Sequence, residues 1–141
     1  MKKILIVNAN YYDEITKRLV SSARVFCKKR NVNLSMIVVP GIFEIPIAIK
    51  KNIKKYDGFI ALGCVIKGKT PHFDLICKTS FSAIANLSIS YNKPIGNGII
   101  TAYNKKQASE RSGKVKSNKP NKGYEAARAV LSILNNGPKK I

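Results

Sequence analysis

Beyond its 21 lysines, a chain of 141 residues offers one histidine, five arginines and seven carboxylates for proton transfer and anion binding. The histidine, His72, ends the run Gly63-Cys64-Val65-Ile66-Lys67-Gly68-Lys69-Thr70-Pro71-His72. The first eight residues of that run fit the phosphate-binding pattern G-x-x-x-x-G-K-[ST]. Two chemistries compete for it. One is a nucleotide cradle made by a glycine-rich turn. The other is a phosphate site at a helix start with an imidazole beside it.

The nucleotide cradle fails two tests. Its first glycine must begin a tight turn directly after a strand. Gly63 instead lies inside an apolar run, Phe59 to Ile66, so the strand is expected to continue through it. The cradle also needs a carboxylate at the end of another strand to help hold magnesium. None of Asp13, Glu14, Glu44, Asp57, Asp74, Glu110 and Glu125 is expected at such a position; Glu44 comes nearest but follows a Pro-Gly turn. The second chemistry survives. Thr70-Pro71 reads as N-cap and first residue of a helix. Free N–H groups and the helix dipole there favour an anion, and Lys67 and Lys69 flank the spot. A helix N-terminus disfavours the imidazolium and a bound phosphate favours it, so His72 is suited to proton exchange near neutrality. The plainer alternative is an exposed histidine at a helix start.

Parallel strands are the elements that must position these groups. Strands are expected at 3–9, 33–39, 57–66 and 94–101. Helices are expected from Asp13, as cap, to about Arg30, over a short stretch carrying Ile45, Ile49 and Ile53, from Pro71 to Tyr91, from Lys105 to Arg111, and from about Tyr124 to Leu134. The run 57–66 is apolar almost throughout, as in a strand buried on both faces. Strand and helix alternate, which predicts one α/β domain over residues 1–141: a three-layer α/β/α sandwich around a four-stranded parallel sheet. Ligands of such sheets bind at the C-terminal ends of the strands. Cys27, Cys64 and Cys77 lack metal or redox spacing and read as small buried hydrophobes. With one histidine, no metal site is expected. The apolar N-terminal run is too short for a secretion signal and no run spans a membrane, so a cytoplasmic protein is expected.

The formal charge of +19 draws attention to nucleic acid. Yet Lys, Ile and Asn, all with A/T-rich codons, supply 53 of the 141 residues, and only five cations are Arg. Base readers favour Arg for its bidentate fork. The expectation is a solvated lysine surface that attracts anions, with no nucleic-acid partner beyond non-specific attraction by charge.

Two segments, Pro40-Gly41-Ile42-Phe43-Glu44-Ile45-Pro46 and Ala61 through Asp74, resemble the hallmark segments of the lumazine synthases. Asn97-Gly98-Ile99-Ile100-Thr101, Gln107-Ala108, Glu110-Arg111 and Asn121-Lys122-Gly123 follow in matching order, so the resemblance covers nearly the whole chain. It implies a flavodoxin-like sandwich and the penultimate step of riboflavin biosynthesis. There, 5-amino-6-(ribitylamino)pyrimidinedione condenses with 3,4-dihydroxy-2-butanone 4-phosphate to 6,7-dimethyl-8-ribityllumazine. It implies no metal and no organic cofactor, and sites shared between the subunits of homopentamers, some of which build hollow shells. His72 matches the family's proton-transfer histidine. Lys69 and Thr70 match the phosphate-holding positions, and Arg111 the phosphate-binding arginine. Cys64, Val65 and Ile66 match strand-end residues that bind the pyrimidine mainly through backbone groups. Ile42, Phe43 and Glu44 match the loop touching the pyrimidine and ribityl chain, and Tyr11 the stacking aromatic. Asn97 matches another pyrimidine contact, and Lys122 a charge near the phosphate. The chain departs from the family pattern at Ile42, where a small residue is common, at Asn97, where an aromatic is, at Lys69 and at Asn10. The loop from Ser112 to Lys122 is longer than in the shorter members. The competing reading is a basic α/β protein that binds nucleic acid or flavin, or forms a shell, without catalysis.

Overall fold

The computed structural model describes residues 1–113 and 121–141. Strands β1 (Lys2–Ala9), β2 (Val32–Val39), β3 (Gly58–Ile66) and β4 (Ile95–Ala102) form one sheet in the order β2-β1-β3-β4. Every pairing is parallel. Five helices, α1 (Asp13–Cys27), α2 (Ile45–Asn52), α3 (His72–Tyr91), α4 (Lys105–Arg111) and α5 (Lys122–Asn135), lie between and after the strands. A single 3-10 turn, Ile42–Glu44, precedes α2. This is the expected α/β sandwich with flavodoxin-like layering.

The period-two alternation of the strands divides two cores. Ile4, Ile6, Ile60, Leu62 and Ile100 point to the side covered by α1 and α5, where Leu19, Phe26 and Val130 meet them. Leu5, Val7, Phe59, Ala61 and Ile99 point to the other side, under Ile45 and Ile49 of α2 and Ile84 of α3. Each such Val, Leu, Ile or Phe side chain stabilises the fold by about 1.5–3 kcal/mol on burial. Small residues set the layer spacing. A Cβ on Gly123 would collide with the Leu19 carbonyl, and one on Gly96 with the Ala126 carbonyl. Helix α5 therefore sits backbone to backbone on both α1 and β4.

Two cap assignments are corrected. Asp13 is the first residue of α1 rather than its cap; Tyr12 takes the cap position, with no side-chain cap bond. The Asp13 carboxylate instead pairs with Lys17 Nζ at 2.9 Å, one turn on. Thr70 does not cap α3. Pro71, at φ −69° and ψ 1°, occupies the cap position itself, and its carbonyl accepts from Leu75 N. That shift places Thr70 outside the helix and makes His72 its first residue. Asparagines cap the two later helices: Asn104 Oδ1 accepts from Gln107 N and Asn121 Oδ1 from Tyr124 N. Helix α1 ends at Cys27, three residues before the expected limit, and α5 begins two residues early, at Lys122. Of the cysteines, Cys27 and Cys64 are buried and Cys77 is half-buried; all three are free. No helix among the described residues is long and apolar enough to cross a membrane.

Candidate active site

Strand β3 is longer than the strand beside it. Its pairing with β1 stops at Leu62, opposite Asn8, whereas its pairing with β4 runs on to Ile66, opposite Ala102. Residues 63–66 thus project past β1 and present an unpaired strand edge. Peptide N–H and C=O groups are obligatory hydrogen-bonding groups, so this edge offers donors and acceptors to a planar polar ligand. It lies at the C-terminal end of the sheet, beside the position where strand order turns back on itself, the usual ligand site of open α/β sheets.

A cleft of about 400 Å³ lies on that edge. Eight of the thirteen candidate residues line it: Tyr11, Ile42, Phe43, Glu44, Cys64, Val65, Ile66 and His72. They arrive from three loops. The β1–α1 connection brings Tyr11, the turn after β2 brings Ile42, Phe43 and Glu44, and β3 with the start of α3 brings the rest. A larger groove of about 900 Å³ runs between α1 and β2 and contains none of the thirteen. The imidazole, the carboxylate and the free strand edge converge on the smaller cleft.

Gly63 explains both the cleft and the misleading phosphate-loop pattern. It is inside β3, with no positive φ. A Cβ there would collide with Ile42 Cδ1 and lie 3.3 Å from Ala9 Cβ. The glycine is needed as space, so that the turn after β2 can close over the strand, and not as a phosphate-wrapping turn. Only residues 67–71 remain as loop between β3 and α3.

His72 is exposed at the head of α3. Phe43 and Tyr11 are 64% and 77% exposed, so the cleft has open aromatic walls. Cys64 turns its thiol into the core on the α1 side, where burial pushes it up to about 11; its part in the cleft is its backbone. Among the described residues no group of three or more His, Cys, Asp or Glu side chains could hold a metal ion.

Five candidates lie outside the cleft. Lys69 and Thr70 are exposed on the loop beside it. Asn97 is exposed in the middle of edge strand β4, where its Oδ1 accepts from Ile99 N at 3.1 Å. Arg111 ends α4, half-buried, with Nη1 3.4 Å from the Gln107 carbonyl oxygen. Lys122 opens α5. The loop expected from Ser112 to Lys122 falls mostly outside the described residues.

Three cleft residues were not anticipated. Tyr12 meets Tyr11 edge to face at 5.0 Å, and burial, followed by the neighbouring Tyr11 and Cys64, raises its phenol. Gly41 and Ile76 also line the cleft. Ile76 was detectable, since it lies one turn after His72 on the same helix face. Nothing in the sequence separates Tyr12 from Tyr11 as the wall of a site. A further cluster adjoins the 67–71 loop: Tyr103 sits 6.4 Å from Phe73 and under Lys67 Nζ at 5.3 Å.

A family model described as 6,7-dimethyl-8-ribityllumazine synthase matches residues 1–137. A protein of that name from Campylobacter jejuni subsp. jejuni is 44% identical over 138 residues, covering 94% of this chain and 88% of its own length. One from Campylobacter curvus is 42% identical over 139 residues, with 95% and 87% covered. One from Paramagnetospirillum magneticum is 38% identical over 143 residues, with 95% and 93% covered. With a family model spanning nearly all of it and relatives this similar along its length, the chain belongs to the 6,7-dimethyl-8-ribityllumazine synthase family.

Proposed function

We propose that this protein is a lumazine synthase: a transferase that condenses 5-amino-6-(ribitylamino)pyrimidinedione with 3,4-dihydroxy-2-butanone 4-phosphate, releasing 6,7-dimethyl-8-ribityllumazine, phosphate and water. The observation that carries the reading is the cleft at the free edge of β3, where both hallmark segments and the single histidine meet. A pyrimidinedione has alternating N–H and C=O groups along its ring, the complement of an unpaired strand edge. We assign its binding to the backbone of Cys64, Val65 and Ile66, its stacking to Tyr11, and the ribityl hydroxyls to Glu44 and the Ile42–Phe43 backbone.

The reaction needs protons moved several times. The amine attacks the ketone and water leaves to give an imine. A proton is then lost from carbon as phosphate departs, and ring closure releases the second water. His72 is assigned the shuttling, within the reach of solvent that its exposure gives. Lys69, Thr70 and the uncapped first turn of α3 are assigned the phosphate, with Arg111 supplying its fork of donors. No residue assigned here requires a metal or an organic cofactor.

Asn97, Arg111 and Lys122 stand apart from the cleft of their own chain. That placement supports a site shared between two copies, in which these three complete the neighbour's cleft within a homopentamer. The exposed apolar side chains Phe43, Ile47 and Leu75 around the cleft and on α2 and α3 are suited to the contact. We place the enzyme in the cytoplasm, where its free thiols stay reduced. The test is direct. Purified protein is mixed with both substrates, and lumazine fluorescence and phosphate release are followed against the uncatalysed background. Acceleration is expected. A folded oligomer that gives none refutes the reading and brings forward the non-catalytic alternative.

A further inference from the structure

The four strands run the same way and the helices return between them, so the molecule has two unlike ends. The mouth collects strand ends and helix starts; the base collects strand starts and helix ends. The carboxylates are divided unequally between the two. Asp13 and Glu14 lie in the first turn of α1, Glu44 in the turn before α2, Asp74 in the first turn of α3 and Glu125 in the first turn of α5. Glu110 is on α4, which also starts at the mouth. Six of the seven carboxylates therefore belong to the mouth. Only Asp57 is at the base, and its Oδ2 accepts from the Lys3 backbone N–H at 2.7 Å.

Two grooves cross the base. Lys3, Asn33, Ser35, Lys54, Lys55 and Tyr56 line one of about 510 Å³. The other, of about 400 Å³, includes Lys2, Arg30, Asn31 and Asn135, together with Asp57 and three apolar residues. Cations are interleaved in both with amide, hydroxyl or phenol side chains. That mixture of Lys and Arg with Ser, Asn and Tyr is the set that contacts phosphate oxygens and sugars in protein–nucleic acid interfaces. A bilayer surface, by contrast, is flat and is usually engaged with apolar side chains inserted between the cations. Cations stand at both ends, with Lys17, Lys67, Lys69 and Lys105 at the mouth, but there they are set among carboxylates drawn to helix starts by the helix dipole, and Lys17 pairs with Asp13; the base keeps its cations with Asp57 alone.

We propose that the base of the sheet is a docking surface for nucleic acid, held without sequence preference through the phosphodiester backbone, on the opposite end of the molecule from the cleft. The probe is a short fluorescein-labelled DNA duplex of arbitrary sequence, followed by fluorescence anisotropy with the full chain. For roughly four phosphates neutralised, affinity should fall about 100-fold between about 50 and 200 mM salt. K54E/K55E should weaken binding at least ~10-fold, because each reversal removes a contact and adds a repulsion. K105E/K106E, the same charge change placed at the mouth, should leave affinity within about 2-fold. Lys2→Glu, in the second groove, repeats the test should the double variant prove unstable by circular dichroism. No binding at low salt overturns the proposal. So does equal weakening by the two double variants, which would mean a diffuse effect of net charge, and so does retention by phosphatidylserine vesicles without retention by the duplex.

Discussion

His72 stands exposed at the first position of α3 and is not one of the buried core residues. Its replacement therefore tests chemistry rather than folding. His72→Ala is expected to lower kcat by about 10²- to 10⁴-fold with an unchanged circular dichroism spectrum, and an unchanged rate would remove the imidazole from the reaction. Arg111→Ala is expected to raise KM for the butanone phosphate roughly 10- to 100-fold, the weight of a charge-assisted hydrogen bond. An unchanged KM would end that assignment. Cys64 behaves differently because its role is packing. Its folded thiol holds a proton to about pH 11, against an ordinary value of 9.0. Between those values the unfolded chain binds fewer protons than the folded one, so stability falls as pH rises. The contribution is complete below pH 9 and lost as pH rises through about 11. Thermal melts of Cys64→Ala should thus show a smaller drop in Tm across that window than the parent; parallel curves would show that folding does not raise the thiol's pKa.

At the scale of elements, glycine positions carry the architecture. Gly63→Ala drives a methyl into Ile42, and Gly123→Ala drives one into the Leu19 carbonyl. Each is expected to cost about 1–3 kcal/mol, read as a lower urea midpoint. Only Gly63→Ala should also raise KM for the pyrimidine, because only it moves the turn over the cleft. Strands and helices were legible in the sequence, since a buried parallel sheet writes itself as apolar runs such as Phe59 to Ile66. Helix starts were less so. Thr70-Pro71 has the composition of a cap and its first residue, but the proline ring also suits the cap position, and which of the two it takes depends on the path of the loop from β3. The same limit applied to Asp13. For the site, most candidates from the hallmark segments meet in the cleft, joined by Tyr11 from the β1–α1 connection, while Lys69 and Thr70 stand on the loop beside it. Tyr12 was missed because a wall is defined by where loops cross, which no local spacing encodes, whereas Ile76 was open to detection one turn after His72.

At the scale of the whole molecule, a chain whose cleft lacks Asn97, Arg111 and Lys122 is expected to work only in company. Sedimentation equilibrium should give a mass that is a multiple of five chains, and activity per chain should vanish on dilution to monomers. An active monomer would refute the shared site. The proposed assembly would also cover the apolar side chains left open on α2 and α3, including Leu75 at 65% and Ile89 at 81% exposure. The projecting edge of β3 has a longer-term consequence. A ligand read by peptide groups is indifferent to which side chains those residues carry. A lineage whose codons push steadily towards lysine, isoleucine and asparagine can exchange Val65 or Ile66 without rewriting what the cleft accepts, so long as the strand keeps its length and Gly63 stays bare. Selection on specificity would then fall on a residue that never meets the substrate.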